Sequence, residues 1–349
     1  MEQTKTLVIL SPGFAKDEED TTCLPPQQVF IKSLNENFPS LKIIILAFDY
    51  PFFEKKYKWF SNTIISFNGF KRKKIARLFL WLRIYRTLKK INKQNNVIGL
   101  LSFWCGQCAF IGKIFSKRNH LKHLIWILGQ DAKRNNLYVR WIKPKPDELI
   151  AMSDFLSETF FKSHKIKPTH IIPNGVDTKS FPATGAIKKV DIMGAGSLIS
   201  LKQYNTFIEV VFEIKKLLPN INVVLCGKGP EEKKLEELIR QYNLEKNIVL
   251  AGEKRHNEVL QLMQQSKIFL HTSLYEGFST VCLEALYAGA HVISFIKPMQ
   301  HSIDHWQIVT SKDEMIQKTL HLLNNPLTAY TSVLAYSMDD SAKEMMKLF

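Results

Sequence analysis

The sequence has little cysteine, and its spacing does not suggest a disulfide framework. Five cysteines are scattered through 349 residues, and an odd, dispersed set favours a reducing compartment. Only Cys105 and Cys108 lie close together. A zinc site needs a second pair at ligand spacing, and none follows. We therefore predict no metal site here, and we expect these residues to open a helix after a strand over Val97 to Phe103.

Long apolar runs are also missing. The apolar run near the start of the chain is too short for a signal peptide. The longest uncharged apolar stretch, Val97 to Gly112, has 16 residues and is interrupted by Gly99, Gly106 and Gln107, whereas a helix needs ~20 residues to span a bilayer. The sequence therefore predicts a cytoplasmic protein without a transmembrane segment.

Carboxylates are absent from one long segment of the chain. Between Lys55 and Gln130 there are 17 basic residues and no Asp or Glu, and ten of the basic residues lie within Lys71 to Lys93. The net charge of +16 comes from the part that ends at Ile172, which has 29 Lys and Arg against 13 Asp and Glu, while the remainder has 19 of each. Such a basic surface favours an anionic partner.

Within the densest part of this segment, the sequence predicts a basic amphipathic helix. Its apolar residues recur at helical spacing, and its basic residues fall largely between them. The apolar set is Ile75, Leu78, Phe79, Leu82, Tyr85 and Leu88, and the basic set is Lys71, Lys74, Arg83, Arg86, Lys89 and Lys90. One interpretation is that the apolar stripe packs on its own domain and the basic face is solvated.

Two other interpretations give this basic surface a partner. Anionic lipid head groups attract it by ~1 kcal/mol per nearby Lys or Arg, and Trp59, Phe60, Phe67 and Phe70 suit an interfacial aromatic belt. Nucleic acid is the other candidate, but the chain has no zinc-finger spacing, RNA-recognition signature or basic region that continues into heptads. We expect an anionic membrane surface to bind the Lys55 to Lys93 region, and we expect no nucleic acid.

Short apolar, β-branched runs alternate with longer helical patterns along the chain. This order predicts an α/β protein with parallel sheets covered by helices. The pattern restarts after Ile172-Pro173-Asn174-Gly175, which marks a linker between two Rossmann-like domains. A ligand is expected in the cleft beyond the carboxyl ends of the strands. The predicted strands are Thr6 to Leu10, Lys42 to Phe48, Val97 to Phe103, His123 to Leu128, Glu148 to Met152, Val190 to Met193, Asn222 to Cys226, Ile248 to Leu250, Ile268 to His271 and His291 to Phe295.

Glycine-rich turns follow two strands of the second half. Gly194-Ala-Gly196-Ser197 comes first, with Lys202 shortly after it, and Gly227-Lys-Gly229-Pro230 follows the next strand. Glycines let backbone N–H groups approach an anion, and a lysine adds charge, so the first turn can hold a phosphate. The dinucleotide pattern G-x-G-x-x-G is not completed, which disfavours a dehydrogenase.

Two carboxylates, Glu276 and Glu284, stand eight residues apart in the segment from Tyr275 to Gly289. Ser279 is a natural N-cap for a helix that runs through Ala288. A phosphate at that helix start gains the helix dipole and the amides of Thr280 and Val281. The two glutamates can then accept hydrogen bonds from sugar hydroxyls.

In this order, the motifs resemble the retaining glycosyltransferases of the GT-B fold, specifically glycosyltransferase family 4. The resemblance covers nearly the whole chain and is strongest from Ile172 to Phe295. It implies a doubly wound α/β fold with two Rossmann-like domains that face a cleft. The motifs are Glu276 and Glu284, the Gly196 turn with Lys202, Gly227-Lys-Gly-Pro230, Pro173-Asn-Gly-Val-Asp177, and Ser153 within Ala-Met-Ser-Asp-Phe-Leu.

The resemblance also implies domain and residue roles. Residues 1–172 would bind the acceptor, residues 173–325 the nucleotide-sugar, and residues 326–349 would form a helix that crosses back to the first domain. Glu276 would bind donor-sugar hydroxyls, Glu284 the ribose and Lys202 the diphosphate, with Glu276, Lys202 and Asp131 as catalytic candidates. The implied donor site comprises Gly196, Ser197, Lys202, Gly227, Gly229, Gly277, Phe278, Ser279, Thr280, Val281 and Glu284, and the acceptor side comprises Gly13, Gln130, Asp131 and Ser153.

Three positions depart from the family pattern. Ser197 stands where an arginine is usual, Leu128 stands where a histidine often precedes Gly-x-Asp, and Ser11-Pro12-Gly13-Phe14 replaces a Gly-Gly loop. Lys202 would therefore neutralise the leaving diphosphate with less help. Asp131 has two possible roles, in catalysis or sugar positioning, or as the cap of a helix start.

The resemblance implies transfer from a nucleotide-sugar with retained configuration, and the absence of an Asp-x-Asp motif predicts that the transfer is metal-independent. No cofactor is expected. The acceptor would be a glycan or a lipid-linked molecule, used in polysaccharide or glycolipid assembly at the inner face of the cell membrane by a peripheral protein. The alternative is a degenerate GT-B protein that binds a nucleotide-sugar or a membrane partner without turnover. A glycoside hydrolase also pairs carboxylates, but it needs no phosphate-binding turns.

Overall fold

The computed structural model of the chain describes residues 4–72, 75–182 and 186–349. The chain forms two compact units. The first unit consists of the residues up to Asn174 together with Met338–Phe349, and the second unit is Gly175–Ser337. The boundary falls within the predicted linker. None of the described helices is long and apolar enough to cross a bilayer.

The first unit is built on a sheet with the order β3-β4-β2-β1-β5-β6-β7-β8. Its strands pair in parallel, except that β3 and β4 form an antiparallel hairpin at one edge. The central strand β1 is buried along most of its length, as expected for a sheet covered on both faces. The strands are β1 Lys5–Gly13, β2 Lys42–Tyr50, β3 Glu54–Trp59, β4 Asn62–Phe67, β5 Asn96–Phe103, β6 Lys122–Ile127, β7 Leu149–Ala151 and β8 His170–Ile171.

The second unit contains a parallel sheet with the order β11-β10-β9-β12-β13-β14. This is the doubly wound order in which the chain reverses direction after its third strand, so the switch point lies between β9 and β12. Loops that leave the carboxyl ends of β9 and β12 therefore diverge and leave room for a ligand. The strands are β9 Val190–Ala195, β10 Val223–Cys226, β11 Ile248–Gly252, β12 Ser266–His271, β13 His291–Ser294 and β14 Trp306–Ile308.

The helices cover the faces of these sheets. In the first unit the last helix packs against the first: the Asp339 carboxylate accepts hydrogen bonds from Ser33 Oγ at 2.6 Å and Asn37 Nδ2 at 2.8 Å. The helices are α1 Pro25–Asn37, α2 Ile75–Gln94, α3 Gln107–Asn119, α4 Leu137–Ile142, α5 Asp154–His164, α6 Tyr204–Lys215, α7 Glu232–Gln241, α8 His256–Gln264, α9 Thr280–Tyr287, α10 Lys312–Asn324 and α11 Met338–Lys347.

All ten predicted strands are present, and β3, β4, β8 and β14 were not predicted. The strand β3 is an exposed edge strand with three lysines in six residues, so its sequence lacks the apolar pattern that predicts a strand. Lysines on an edge prevent pairing with another chain. The strands β8 and β14 have two and three residues, too few to show a period.

The amphipathic helix α2 is present, but its predicted apolar stripe is only partly right: Leu88 is buried and Tyr85 packs against the core, whereas the other four residues are exposed. The buried residues are Leu80, Ile84, Leu88 and Ile91, which pack in a cluster with β1, β2 and β5. The exposed fractions of Ile75, Leu78, Phe79 and Leu82 are 69%, 59%, 63% and 44%. Both series have helical spacing, and only tertiary packing decides which one faces the core. Lys74, part of the predicted basic face, lies outside the described residues.

The predicted aromatic belt is half wrong. Trp59 and Phe67 are buried in the first unit, and Trp59 packs edge-on against Phe14 with ring centroids 4.9 Å apart. Phe60 and Phe70 are exposed. Trp59 and Phe67 end the two strands of the β3–β4 hairpin, where one side of each strand faces the core.

Candidate functional site

Three glycine turns at neighbouring strand ends form the framework of the site. The Gly196 N–H donates to Cys226 O at 3.0 Å, and the Gly227 N–H donates to Gly252 O at 2.9 Å. All three glycines have positive φ, at 149°, 150° and 67° respectively for Gly196, Gly227 and Gly252, a region that favours glycine. Gly229 lies so close to Leu198 that an added Cβ would be 2.3 Å from Leu198 O. The turns after β9, β10 and β11 are thereby locked to one another.

Lys202 and Glu276 meet across the switch point of the second sheet. Lys202 ends a short 3₁₀ turn, Ser200–Lys202, before α6, and Glu276 lies in the loop between β12 and α9. The Lys202 Nζ donates to Glu276 Oε2 at 2.6 Å, and both side chains are largely buried, with 18% and 25% exposed. Thr272 Oγ1 also donates to Lys202 O at 2.7 Å. The loop after β12 therefore holds both the backbone and the side chain of Lys202.

The Glu276 carboxylate is held ionised. Burial alone would raise its pKa, but neighbouring His271 and the charge of Lys202 outweigh burial and lower the pKa to about 2. His271 ends β12, and its Nε2 lies 3.7 Å from Glu276 Oε2 and 3.2 Å from Ser279 Oγ. Burial lowers the pKa of His271, so this imidazole is neutral at pH 7. The ring is buried at the end of β12.

Helix α9 begins directly after this loop. Ser279 occupies the N-cap position, but its side chain contacts His271 and makes no capping bond. By their position, the amides of Thr280 and Val281 have no acceptor within the helix. Phe278 is buried and its ring stacks on Trp306 with centroids 6.0 Å apart, which anchors the loop that carries Glu276. Ser197 is exposed.

Glu284 is paired with a histidine that the sequence analysis did not select. The Nε2 of His256, at the start of α8, lies 2.8 Å from Glu284 Oε1, and the Glu284 side chain is 15% exposed. The hydrogen bond to Glu284 raises the pKa of His256. His256 has no motif around it, and only the folded chain brings α8 beside α9, so no sequence signal could have identified this pair.

The raised pKa of His256 gives a pH-dependent contribution to stability. Such a group stabilises the fold fully below its unfolded pKa of about 6.5, and the contribution is lost as the pH rises through the folded value. His256→Gln should therefore lower the free energy of unfolding at about pH 6, by less than about 1 kcal/mol because the imidazole is half exposed.

The measurement is urea denaturation of both proteins over a pH series. The difference between wild type and His256→Gln should close as the pH rises. His321→Gln, at an exposed histidine of α10, is the matched control. A difference that is constant with pH would show that the His256–Glu284 ion pair does not contribute.

The acceptor-side candidates lie at strand ends of the first unit. Gly13 ends β1 and pairs in register with Tyr50 of β2. Gln130 is exposed in the short turn Gln130–Ala132. Ser153 is buried, and its Oγ caps α5 by accepting the Leu156 N–H at 3.1 Å.

Asp131 is buried and its two oxygens accept backbone hydrogen bonds. Oδ2 accepts from the Cys105 N–H at 2.8 Å, and Oδ1 accepts from the N–H groups of Gly129 at 2.9 Å and Leu128 at 3.2 Å. Burial outweighs these bonds and raises the pKa of Asp131 to about 6. Asp131 therefore acts as a cap that connects the loops after β5 and β6. A catalytic role for Asp131 stays a prediction.

Cys105 and Cys108 are both buried beside this cap. Burial raises the pKa of each thiol well above its usual value, which makes them poor nucleophiles. In the part of the chain that the structure describes, no group of three His, Cys, Asp or Glu side chains could hold a metal ion. Cys108 lies in the first turn of α3, as the sequence indicated.

The site in the second unit coincides with a recognised family. The family described as glycosyl transferases group 1 matches residues 178–327, which include every residue of the predicted donor site. The second unit of the chain is therefore similar to the glycosyl transferases group 1 family. Lys202, Glu276 and Glu284 lie within the matched range, and their roles stay predictions.

A curated relative is similar to part of the chain. The relative, from Arabidopsis thaliana, belongs to the phosphatidylinositol N-acetylglucosaminyltransferase of that plant. It is 29% identical over 153 residues, which is 42% of this chain and 34% of that protein. The matched part therefore spans about a third of that relative.

Two solved structures share the fold over nearly the whole chain. Sucrose-phosphate synthase from Thermosynechococcus elongatus has a TM-score of 0.72 at 15% identity and covers 99% of this chain and 98% of its own. The pneumococcal O-GlcNAc transferase GtfA, in complex with UDP and GlcNAc, has a TM-score of 0.67 at 14% identity and covers 99% and 98%. The GT-B fold class predicted from the sequence is confirmed.

Proposed function

We propose that the chain is a retaining glycosyltransferase that moves N-acetylglucosamine from UDP-N-acetylglucosamine to an acceptor hydroxyl. The observation that carries this proposal is the Lys202–Glu276 pair at the switch point of the second sheet. The choice of donor is supported by the Arabidopsis relative, which is named as part of an N-acetylglucosaminyltransferase, and by the similar fold that was solved with UDP and GlcNAc.

The pair supplies the two functions that a nucleotide-sugar requires. On donor binding, the Lys202 ammonium exchanges its contact with Glu276 for the diphosphate, and the freed Glu276 carboxylate accepts hydrogen bonds from sugar hydroxyls. The Glu284 carboxylate likewise leaves His256 and accepts hydrogen bonds from the ribose hydroxyls. Before the donor binds, these ion pairs keep both carboxylates ionised and in place, and donor binding replaces each partner with a group of the nucleotide-sugar.

The chemical step is a transfer with retained configuration and without a metal ion. The bond between the sugar C1 and the diphosphate oxygen breaks, the bond from C1 to the acceptor oxygen forms on the same face, and the acceptor proton passes to the departing diphosphate. Lys202 and the start of α9 stabilise the negative charge that develops on the diphosphate. Positioning of the acceptor supplies the remainder of the rate enhancement.

The acceptor is proposed to be lipid-linked, at the inner face of the cell membrane, in glycolipid or polysaccharide assembly. The basic segment of the first unit, without carboxylates from Lys55 to Gln130, would attract an anionic membrane surface. The name of the Arabidopsis relative indicates a phospholipid acceptor for that protein. The chain would then act as a peripheral protein.

One observation favours the alternative of a degenerate binder. Ser197 is exposed at the position where the family usually has an arginine, so the phosphate turn itself supplies no cation at that position. Such a protein would bind the nucleotide-sugar without turning it over.

The test is a transfer assay with a panel of UDP-, GDP-, ADP- and TDP-sugars and a total lipid extract as acceptor. We expect release of UDP from UDP-N-acetylglucosamine together with a labelled lipid product. NMR of the product should show the anomeric configuration of the donor. Binding of UDP-N-acetylglucosamine without transfer to any lipid or glycan acceptor would support the degenerate binder instead.

A further inference from the structure

The outer face of α2 changes character along the helix. At 100° per residue, the exposed residues Ile75, Leu78, Phe79 and Leu82 point away from the buried face. On the same outer side, the last turns carry only cations, Arg86, Lys89, Lys90 and Lys93. The helix therefore has an apolar first half and a basic second half that both face solvent.

Two further exposed aromatic residues contact each other, and one of them, Phe70, precedes α2 by a few residues in the sequence. Phe70 lies in the loop before α2 and is 61% exposed, and Phe52 lies in the loop before β3 and is 62% exposed. Their ring centroids are 5.5 Å apart. Soluble proteins seldom expose so many large apolar side chains together unless the surface binds something. We call Phe52, Phe70, Ile75, Leu78, Phe79 and Leu82 the apolar tip.

A basic groove lies between the β3–β4 hairpin and α2. Its volume is about 490 Å³, and Lys55, Lys56, Arg83 and Arg86 line it. Among the described lining residues, the one carboxylate is Glu54, and it forms ion pairs with Arg72 and Arg83. Within the described residues, Lys55, Lys56 and Arg86 make no ion pair. The groove thus offers cations to a ligand that brings negative charge.

The groove and the apolar tip are neighbours on the helix surface. Phe79, Leu82, Arg83 and Arg86 have the spacing of residues that line one side of a helix. A ligand that places a phosphate in the groove would therefore have its apolar part beside Phe79 and Leu82. This is the arrangement of a lipid at the boundary between head groups and acyl chains.

Other occupants fit this surface less well. Nucleic acid uses aromatic side chains as stacking platforms between cations, whereas Ile75, Leu78 and Leu82 are aliphatic. A second copy of the chain would bring the same cations to the contact, and lysine is depleted in protein interfaces. Charge and apolarity together match an anionic lipid bilayer.

We infer that the apolar tip inserts into an anionic bilayer while Lys55, Lys56 and Arg86 bind lipid phosphates. This deepens the membrane part of the proposed function and depends on it. The proposed function requires only electrostatic attraction to the surface. Insertion adds an apolar contribution that salt does not screen.

The test measures binding of the full chain to vesicles of phosphatidylcholine with and without phosphatidylglycerol, by flotation at low and high salt. The wild type should bind the anionic vesicles and keep measurable binding at high salt. The double variant with Leu78→Ser and Phe79→Ser should bind them more weakly, by about tenfold for each side chain that no longer inserts. Leu217→Ser, which replaces a leucine that is 67% exposed in the second unit, should bind as the wild type does.

The outcomes separate the inference from the proposed function. If the double variant binds as the wild type does and high salt abolishes binding, the attraction is electrostatic and insertion is wrong. If the wild type binds no vesicles, both the membrane proposal and insertion are wrong. If the double variant instead converts a dimer to a monomer in sedimentation, a second copy occupies the surface. Stabilisation by UDP should be unchanged in the double variant, which confirms that it folds.

Discussion

Lys202→Ala should reduce kcat for sugar transfer by about 100- to 1,000-fold, the usual cost of removing one group that stabilises transition-state charge. The Lys202 ammonium lies 2.6 Å from Glu276 Oε2, so in the proposed donor site it would contact the diphosphate next to the donor sugar. The position after Gly196 holds Ser197, so the phosphate turn offers no second cation there to compensate. The effect should be larger than in family members that have an arginine.

The control for this variant is Lys216→Ala. Lys216 pairs with Glu213 on the surface, with 53% of its side chain exposed, so the change in net charge is the same and the site is untouched. Lys202→Arg should recover part of the activity, because the charge is kept but the geometry is altered. Equal kcat values for Lys202→Ala and Lys216→Ala would show that Lys202 does not stabilise the leaving group.

Gly227→Ala should lower the free energy of unfolding by about 3 kcal/mol, at the upper end of ordinary single substitutions. An added Cβ would lie 1.9 Å from Gly196 O, and Gly227 has a φ of 150°. The new methyl group would therefore collide with the backbone of the phosphate turn and push the turns after β9 and β10 apart. Donor binding should be lost together with stability.

Gly252→Ala is the matched control, because this residue has a φ of 67° but nothing within 4 Å of an added Cβ. It should cost only about 1 kcal/mol, for backbone strain alone. Urea denaturation of the two variants and the wild type measures the difference. Equal losses in both variants would show that the close contact between the two turns is not important.

The sequence predicts the fold well where strands are buried on both faces. The strand β10 and the central parts of β1 and β2 are continuous apolar runs, and such runs occur in parallel sheets covered by helices. The hairpin β3–β4 could not be predicted in this way, because its outer strand is lysine-rich and mostly exposed. For α2, two apolar series compete at the same spacing, and the choice between them depends on contacts with β1, β2 and β5.

The site could be predicted only in part, because some of its residues come together only through tertiary contacts. Lys202, Glu276 and Glu284 stand in motifs of characteristic order, which place Lys202 and Glu276 in loops after predicted strands and Glu284 within a predicted helix. His256 and His271 become part of the site through tertiary contacts with Glu284 and Glu276. The sequence also does not show that backbone amides bind both oxygens of Asp131, because one of the donors, the Cys105 N–H, lies 26 residues away.

Calorimetric titration of UDP into the wild type, Glu284→Ala and Lys216→Ala tests most directly whether the donor site lies in the second unit. Wild type and Lys216→Ala should bind UDP equally. Glu284→Ala should bind at least tenfold more weakly, since a hydrogen bond to a charged group contributes about 1.5 to 3 kcal/mol. Equal binding of UDP by all three proteins, or no binding by the wild type, would contradict the assignment of the donor site to the second unit.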